Sequence, residues 1–160
     1  MEVSMKTKAI PEGFHSLTPD LVVSDAAEAI EFYKRVFGAK KRRVFHGPDG
    51  GIVHAEIQIG DSILLLSPEF LEHKVFSPQS PGGGTSISMF LYVEDVDAVF
   101  AKAVSAGATV TMPLADAFWG DRAAGIVDPF GHRWMLAMHI KDLSDEELEK
   151  AAKAMFTKKP

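Results

Sequence analysis

The sequence has no cysteine, no long apolar run and no large excess of charge of either sign. Without cysteine the chain forms no disulfide, carries no thiolate nucleophile and builds no cysteine-ligated zinc site. No apolar run approaches the roughly 20 residues that span a bilayer. Residues 1–8 are polar and lack the apolar core of a signal peptide, so we expect a cytoplasmic protein with no membrane partner.

The charge pattern gives little support for nucleic-acid binding. The formal net charge is −5, and basic residues cluster once, at residues 40–43 (Lys-Lys-Arg-Arg). Such a short run on a mildly acidic chain is typical of a solvated strand that follows a helix. We therefore expect no nucleic-acid partner.

Familiar nucleotide and hydrolase motifs are also missing. The glycine run at residues 82–84 lacks the Lys-Ser/Thr of a phosphate loop, and no strand–loop–helix pattern surrounds it. The sequence has neither a dinucleotide fingerprint nor a Ser-His-Asp arrangement in a credible context. The glycine run is therefore interpreted as part of a linker.

A βαβββ pattern occupies residues 14–67. Ser24 and Asp25 offer N-cap chemistry, apolar residues then recur at helical spacing, and Gly38 ends the predicted helix. Strands are predicted at residues 17–23, 40–45, 52–59 and 63–66, and apolar and polar side chains alternate in the third.

The same pattern returns about 70 residues later, which indicates an internal repeat. Residues 91–95 match residues 21–25, and a second helix, a strand at 109–112 and a loop at 113–120 follow. The last quarter is a hairpin at residues 126–138, because Pro129 interrupts a strand and Gly131 allows a tight turn.

These patterns divide the chain into five parts. Residues 1–13 are predicted to be a flexible leader, 14–67 the first module, 68–85 a linker and 86–140 the second module. Residues 141–160 contain a C-terminal helix, opened by a capping box at Ser144 and Glu147. Its apolar stripe is thin, so it lies on the surface or packs on a partner.

Two motifs give the repeat a resemblance to a known family. They are Phe-Tyr-Lys-Arg-Val-Phe-Gly-Ala at residues 32–39 and Asp-Pro-Phe-Gly-His-Arg-Trp at residues 128–134. With two βαβββ modules, the chain resembles the vicinal oxygen chelate superfamily, which includes glyoxalase I, bleomycin-resistance proteins, fosfomycin-resistance enzymes and extradiol dioxygenases. Within it, the chain most resembles the PhnB-like subgroup.

The resemblance implies an α+β fold in which two tandem modules form a cup-shaped, eight-stranded mixed sheet around a cavity. It also implies a homodimer. Metal-dependent members carry four His, Glu or Gln ligands on the first and last strands of each module. Here those positions fall on Thr18, Leu65 (or Leu64), Ser88 and Met135. These side chains do not suit a divalent metal, so we expect no metal, no cofactor and no metal-dependent glyoxalase or dioxygenase reaction.

Strand alternation sorts the side chains between the cavity and the helices. The residues predicted to line the cavity are Asp20, His54, Glu56, Gln58, Leu65, Phe90, Tyr92, Arg133 and Met135, with Phe118, Trp119, Asp121 and Arg122 at its mouth.

Several of these residues keep two interpretations. His54 and Glu56 are two residues apart on one strand face. They are interpreted either as a general base with its orienting partner or as an exposed polar pair. Arg133 binds an anionic ligand or pairs with a carboxylate. Phe90 and Tyr92 stack on a planar ligand or fill the cavity, and Trp119 is a ligand lid or a dimer contact. His132 is expected to be structural, and His139 receives no role.

Three functions follow. The first is a metal-free protein that binds or sequesters a small planar or anionic compound, using Asp20, Gln58, Phe90, Tyr92, Trp119, Asp121 and Arg133. The alternative is a lyase, isomerase or dioxygenase-like enzyme, metal-independent or with an unorthodox metal site, that uses His54 and Glu56. The third is a partner-binding domain that acts through the C-terminal helix.

Overall fold

The computed structural model describes residues 7–157, and the first six residues of the predicted leader lie outside this range. The chain divides into two compact units, which end and begin at Ser80 and Pro81. Unit 1 contains β1 (Asp20–Val23), α1 (Ala26–Phe37), β2 (Lys40–His46), β3 (Ile52–Ile59) and β4 (Ser62–Pro68). Unit 2 contains β5 (Ser88–Tyr92), α2 (Val96–Ser105), β6 (Thr109–Asp116), β7 (Asp121–Val127), β8 (Arg133–His139) and α3 (Asp145–Thr157).

Each unit has a four-stranded mixed sheet with the same topology. The strand order is β1-β4-β3-β2 in unit 1 and β5-β8-β7-β6 in unit 2. The first strand of each unit is parallel to the last, and the remaining pairs are antiparallel. The predicted α+β fold with two βαβββ modules is confirmed.

Helix α1 begins and ends where its local sequence predicts. The Asp25 side chain accepts a hydrogen bond from the backbone N–H of Glu28, which satisfies a free donor of the first turn. Gly38 adopts φ 67°, and its N–H bonds back to Lys34 O. The helix buries an apolar face that includes Tyr33, which is fully buried, against one side of the sheet. The opposite side of the sheet carries the polar residues of β3.

The predicted loop at residues 113–120 is wrong, because β6 continues to Asp116. Pro113 is compatible with this strand because β6 lies at the edge of its sheet and its pairing with β7 shifts register between Met112 and Ala115. The connection shortens to residues 117–120. Asp121 is consequently the first residue of β7 and not part of a loop.

The segments between and after the modules have their own local structure. Glu69 accepts hydrogen bonds from the backbone N–H and the hydroxyl of Ser77 at 3.0 and 2.5 Å.

The predicted capping box is present, since Ser144 N–H donates to Glu147 Oε2 and Glu147 N–H donates to Ser144 Oγ. Between residues 7 and 157, the helices are too short or too polar to cross a membrane.

The turn between β7 and β8 is organised by Asp128, which is 3% exposed. Its Oδ1 accepts the backbone N–H groups of Phe130 and His132 at 2.9 and 3.0 Å, and its Oδ2 accepts Trp134 Nε1–H at 2.8 Å. Gly131 supplies the positive φ of 88° that the turn requires. Asp128 therefore holds the Asp-Pro-Phe-Gly-His-Arg-Trp turn together and links it to the buried Trp134.

We expect Asp128→Ala to lower the free energy of unfolding by about 3 kcal/mol, because it leaves buried donors unsatisfied. The measurement is urea denaturation. The matched control is Asp61→Ala in the equivalent turn of unit 1, where the exposed aspartate accepts a hydrogen bond from the hydroxyl of Ser62. It should change stability by less than about 0.5 kcal/mol. Equal losses in the two variants would contradict this account of the turn.

Candidate functional site

The helix covers one face of each sheet, and most of the predicted site residues lie on the other, which we call the open face. In unit 1 one cross-strand row joins Asp20, Leu65, Glu56 and Arg43. The equivalent row in unit 2 joins the residues Phe90, Met135, Gly125 and Met112. The repeat thus conserves the backbone pattern while the chemistry of the two faces differs.

Glu56 is the buried charge of the unit 1 open face, with 8% exposure. Its Oε2 lies 3.9 Å from Arg42 Nε and 3.8 Å from Arg43 Nε, within ion-pair distance. A register shift between Lys41 and Arg43 lets two successive arginines approach the same carboxylate. The basic run at residues 40–43, interpreted from sequence as a solvated strand start, thus supplies the countercharges of Glu56.

His54 and Glu56 are neighbours on this face, but they do not form a hydrogen bond. His54 Nε2 and Glu56 Oε1 are 4.0 Å apart, and the His54 ring stacks on Phe45 with centroids 5.8 Å apart. Glu56 Oε2 and Arg42 Nε are buried polar atoms without a hydrogen-bond partner. Gln58 accepts a long hydrogen bond of 3.4 Å from Arg42 Nη1. Asp20 is exposed at the end of the row.

The open face of unit 2 contains a polar cluster around Asp121, which is 1% exposed. Asp121 Oδ2 accepts the Tyr92 hydroxyl at 2.8 Å and Trp119 Nε1–H at 2.7 Å. Its Oδ1 is 2.8 Å from His139 Nδ1. The fold therefore brings together three residues singled out in the sequence, Tyr92, Trp119 and Asp121, with one that received no role.

Cross-strand register explains why His139 was missed. Val127 pairs with Arg133 across the hairpin, and counting outward along β7 and β8 brings Asp121 opposite His139. The predicted hairpin was followed only to residue 138. Because neighbouring strand residues point to opposite faces, Arg122 lies on the helix-covered side, where it pairs with Asp97 of α2 at 2.8 Å. Arg122 is therefore not at the mouth predicted for it.

The hydrogen bonds of this cluster set its protonation. Burial raises the pKa of the Asp121 carboxyl, but hydrogen bonds from His139, Tyr92 and Trp119 outweigh burial and hold it below its usual value. The hydrogen bond to Asp121 raises the pKa of Tyr92. Hydrogen bonds to Asp142 and Asp121 raise the pKa of His139. At neutral pH Asp121 is consequently ionised and Tyr92 keeps its proton.

The chain after β8 is fastened beside this cluster. The backbone N–H groups of Ile140 and Lys141 both donate to Gly120 O, at 2.9 and 3.0 Å. Gly120 has φ 97°, and a Cβ there would lie 2.2 Å from Lys141 O, so no larger residue fits. This contact brings Asp142 Oδ1 to 2.8 Å from His139 Nε2.

An aromatic pair and a cation lie along the same face. Phe90 and Tyr92 are 50% and 59% exposed, with ring centroids 5.2 Å apart. Their row partners are Met135 and the small, buried Ala137. Arg133 is exposed beside Ser88, about 13 Å along the strand from Ala137 at the usual rise per residue.

The residues at the family's metal-ligand positions do not fit a metal. Thr18 and Ser88 offer hydroxyl groups, Leu65 an alkyl chain and Met135 a thioether, whereas hard divalent cations prefer carboxylate or imidazole. In residues 7–157 no group of three or more His, Asp or Glu side chains is arranged to hold a metal ion. His54, Glu56 and Asp20 make no such group within this range.

His139 should make stability depend on pH. Because its folded-state pKa lies above the unfolded value of 6.5, its ionic contacts contribute fully below that pH and are lost as pH rises through the folded-state pKa. We expect the Tm difference between wild type and His139→Gln to shrink from about pH 6 to about pH 9. The control is His46→Gln, which changes an exposed histidine of β2 and should run parallel to wild type. A constant difference for His139→Gln would contradict the assignment.

Comparison with known proteins agrees with this architecture. An uncharacterized protein of Mycobacterium bovis is 41% identical over 139 residues, which are 85% of this chain and 91% of that protein. The crystal structure of TioX from Micromonospora sp. ML1 aligns with a TM-score of 0.63 and 28% identity, over 79% of this chain and 100% of TioX.

A PhnB protein from Bacillus cereus, described as a putative 3-demethylubiquinone-9 3-methyltransferase, aligns with a TM-score of 0.61 and 20% identity. The alignment covers 78% of this chain and 99% of that one, and at this identity it supports the fold alone. Residues 13–136 match the model of one family. The chain therefore belongs to the Glyoxalase/Bleomycin resistance protein/Dioxygenase superfamily.

Proposed function

We propose that the protein binds a small planar, anionic compound on the open face of unit 2, without a metal. The observation that carries the proposal is the exposed pair of rings, Phe90 and Tyr92, anchored by the buried Asp121. Exposed rings side by side on a sheet are unusual unless something covers them, and a flat ligand does so well.

The anchoring of Tyr92 favours binding because it reduces the conformational freedom that a ligand would otherwise have to remove. The Tyr92 hydroxyl is held by a carboxylate that is itself bonded to Trp119 and His139. The ring is thus oriented before the ligand arrives. Stacking on such a ring contributes about 0.5–1.5 kcal/mol beyond the burial of apolar area.

Arg133 supplies the preference for an anion. It is exposed at one end of the face, and a guanidinium binds a carboxylate through two parallel hydrogen bonds. The compound therefore carries its acid group toward the Ser88 and Arg133 end and its ring over Phe90 and Tyr92.

The proposal extends to the subgroup, the oligomeric state and the location of the protein. We propose that the chain belongs to the PhnB-like subgroup, on the motifs at residues 32–39 and 128–134. We also propose a cytoplasmic homodimer that sequesters its ligand. Sedimentation of the purified protein at twice the monomer mass would support the dimer, and a monomer would contradict it.

The alternative function is a metal-independent enzyme of the lyase, isomerase or dioxygenase-like kind. It is favoured by the buried Glu56 Oε2, which lacks a hydrogen bond on the carboxylate next to His54, since a catalytic role is one explanation for an unsatisfied buried polar atom. In that function, His54 takes a proton from a carbon acid. The Glu56 carboxylate lies beside it, within ion-pair distance of Arg42 and Arg43.

The alternative is tested by proton exchange. If His54 is a base, the protein should accelerate exchange of the α-protons of phenylpyruvate in D2O, followed by NMR. His54→Ala and Glu56→Ala should each reduce the acceleration at least tenfold, since general base catalysis is typically worth 10²–10⁴. His46→Ala is the control and should retain it. Equal exchange in all variants would eliminate the enzyme hypothesis.

The binding proposal is tested with 2-naphthoate, a planar aromatic carboxylate. Phe90→Ala should weaken its binding about three- to tenfold through lost stacking, and Arg133→Gln should weaken it by a similar factor through the lost ion pair. Calorimetric titration gives the Kd of each variant.

Two matched variants serve as controls for that titration. Phe45→Ala removes a ring with the same 50% exposure from the open face of unit 1, and Arg122→Gln removes an arginine from the helix-covered face of unit 2. Both should bind 2-naphthoate like wild type. Loss of binding in the controls, or none in the wild type, would refute the proposed site.

A further inference from the structure

We infer that the compound also presents a hydrogen-bond donor, an amino or hydroxyl group, to the Tyr92 oxygen, at the end of the molecule opposite its acid group. The inference rests on the proposed function and narrows its ligand class to flat aryl acids with a donor at the far edge. It follows from the direction of the hydrogen bonds around Asp121.

The Asp121 carboxylate accepts hydrogen bonds at both of its oxygens. Indole nitrogen is always a donor, so Trp119 Nε1–H donates to Asp121 Oδ2 at 2.7 Å. His139 Nδ1 meets the other oxygen at 2.8 Å. The group is 1% exposed, so these donors replace the water that would otherwise solvate its charge. Such an environment favours the ionised carboxylate.

An ionised carboxylate has no proton to give, and this determines the role of Tyr92. At 2.8 Å from Asp121 Oδ2, the tyrosine must donate its single hydroxyl proton inward. The remaining lone pairs of its oxygen can only accept. The raised pKa of Tyr92 agrees with a hydroxyl that keeps this proton at physiological pH.

One end of the binding face therefore selects ligands that carry a hydrogen-bond donor. Tyr92 is 59% exposed, and in the proposed pose a ligand lying across the two rings reaches its hydroxyl oxygen. An amino or hydroxyl group there completes a hydrogen bond, which the partner carboxylate strengthens by polarising the tyrosine. An ether oxygen or a carboxylate at that position would place a second acceptor against the Tyr92 oxygen, and no hydrogen bond would form. The acid group of the ligand is thereby directed away from Tyr92 and toward Arg133.

The two ends are a suitable distance apart for a fused two-ring compound. The row of Ser88 and Arg133 and the row of Tyr92 and Ala137 are separated by four residues, about 13 Å along the strands. The Phe90 and Met135 row lies between them. The Arg133 cation, the apolar Phe90 and Met135 row and the Tyr92 acceptor thus follow one another along the strand direction.

The test compares 6-amino-2-naphthoate, 6-methoxy-2-naphthoate and 2-naphthoate by calorimetric titration of the full-length protein. Wild type should bind the amino compound about tenfold more tightly than the methoxy compound, the effect of one hydrogen bond against an unpaired acceptor. In Tyr92→Phe this ratio should fall to about one. Phe90→Leu is the control, because it should weaken all three compounds and preserve the ratio.

The outcomes separate this inference from the binding proposal. If wild type binds none of the three compounds, the proposed function fails and the donor preference fails with it. If wild type binds all three compounds, and the methoxy compound binds as tightly as the amino compound, the binding proposal stands and the donor preference is refuted. An undiminished ratio in Tyr92→Phe, with folding verified by circular dichroism, also refutes it.

Discussion

The hydrogen bonding of the Asp121 carboxylate is the constraint on which the open face of unit 2 depends. A charge with 1% exposure is stable only when donors replace its water, and these donors come from three separate parts of the chain. Tyr92 comes from β5, Trp119 from the turn before β7 and His139 from the end of β8. One carboxylate therefore fixes an exposed ring, a turn and the start of the C-terminal segment together.

The second buried aspartate of unit 2 works over a much shorter range. Asp128 bonds to Phe130, His132 and Trp134, all within six residues, and so these three hydrogen bonds shape the turn locally. Asp121 instead depends on strand register, so its partners can change as the surrounding strands change.

The repeat shows how one backbone pattern carries two kinds of surface. The row that contains Asp20, Glu56 and Arg43 in unit 1 corresponds to a row of Phe90, Gly125 and Met112 in unit 2. A Cβ at Gly125 would lie 2.7 Å from Thr111 Oγ1, so a larger residue there would require the neighbouring strand to shift. Ion pairs dominate one open face and apolar groups dominate the other, which is why the binding proposal concerns unit 2.

The sequence alone determined the features that depend on neighbours along the chain. The Asp25 and Gly38 ends of α1, the alternation in β3, the repeat, the Asp-Pro-Phe-Gly turn and the capping box at Ser144 all rest on contacts within a few residues. Family membership followed from the same local motifs. The tertiary structure decided the rest. Pro113 is part of a strand because that strand lies at a sheet edge, and Arg42 and Arg43 both face Glu56 because of a register shift. His139 meets Asp121 because β7 and β8 pair, and cross-strand partners of this kind depend on register, which spacing along one strand does not encode.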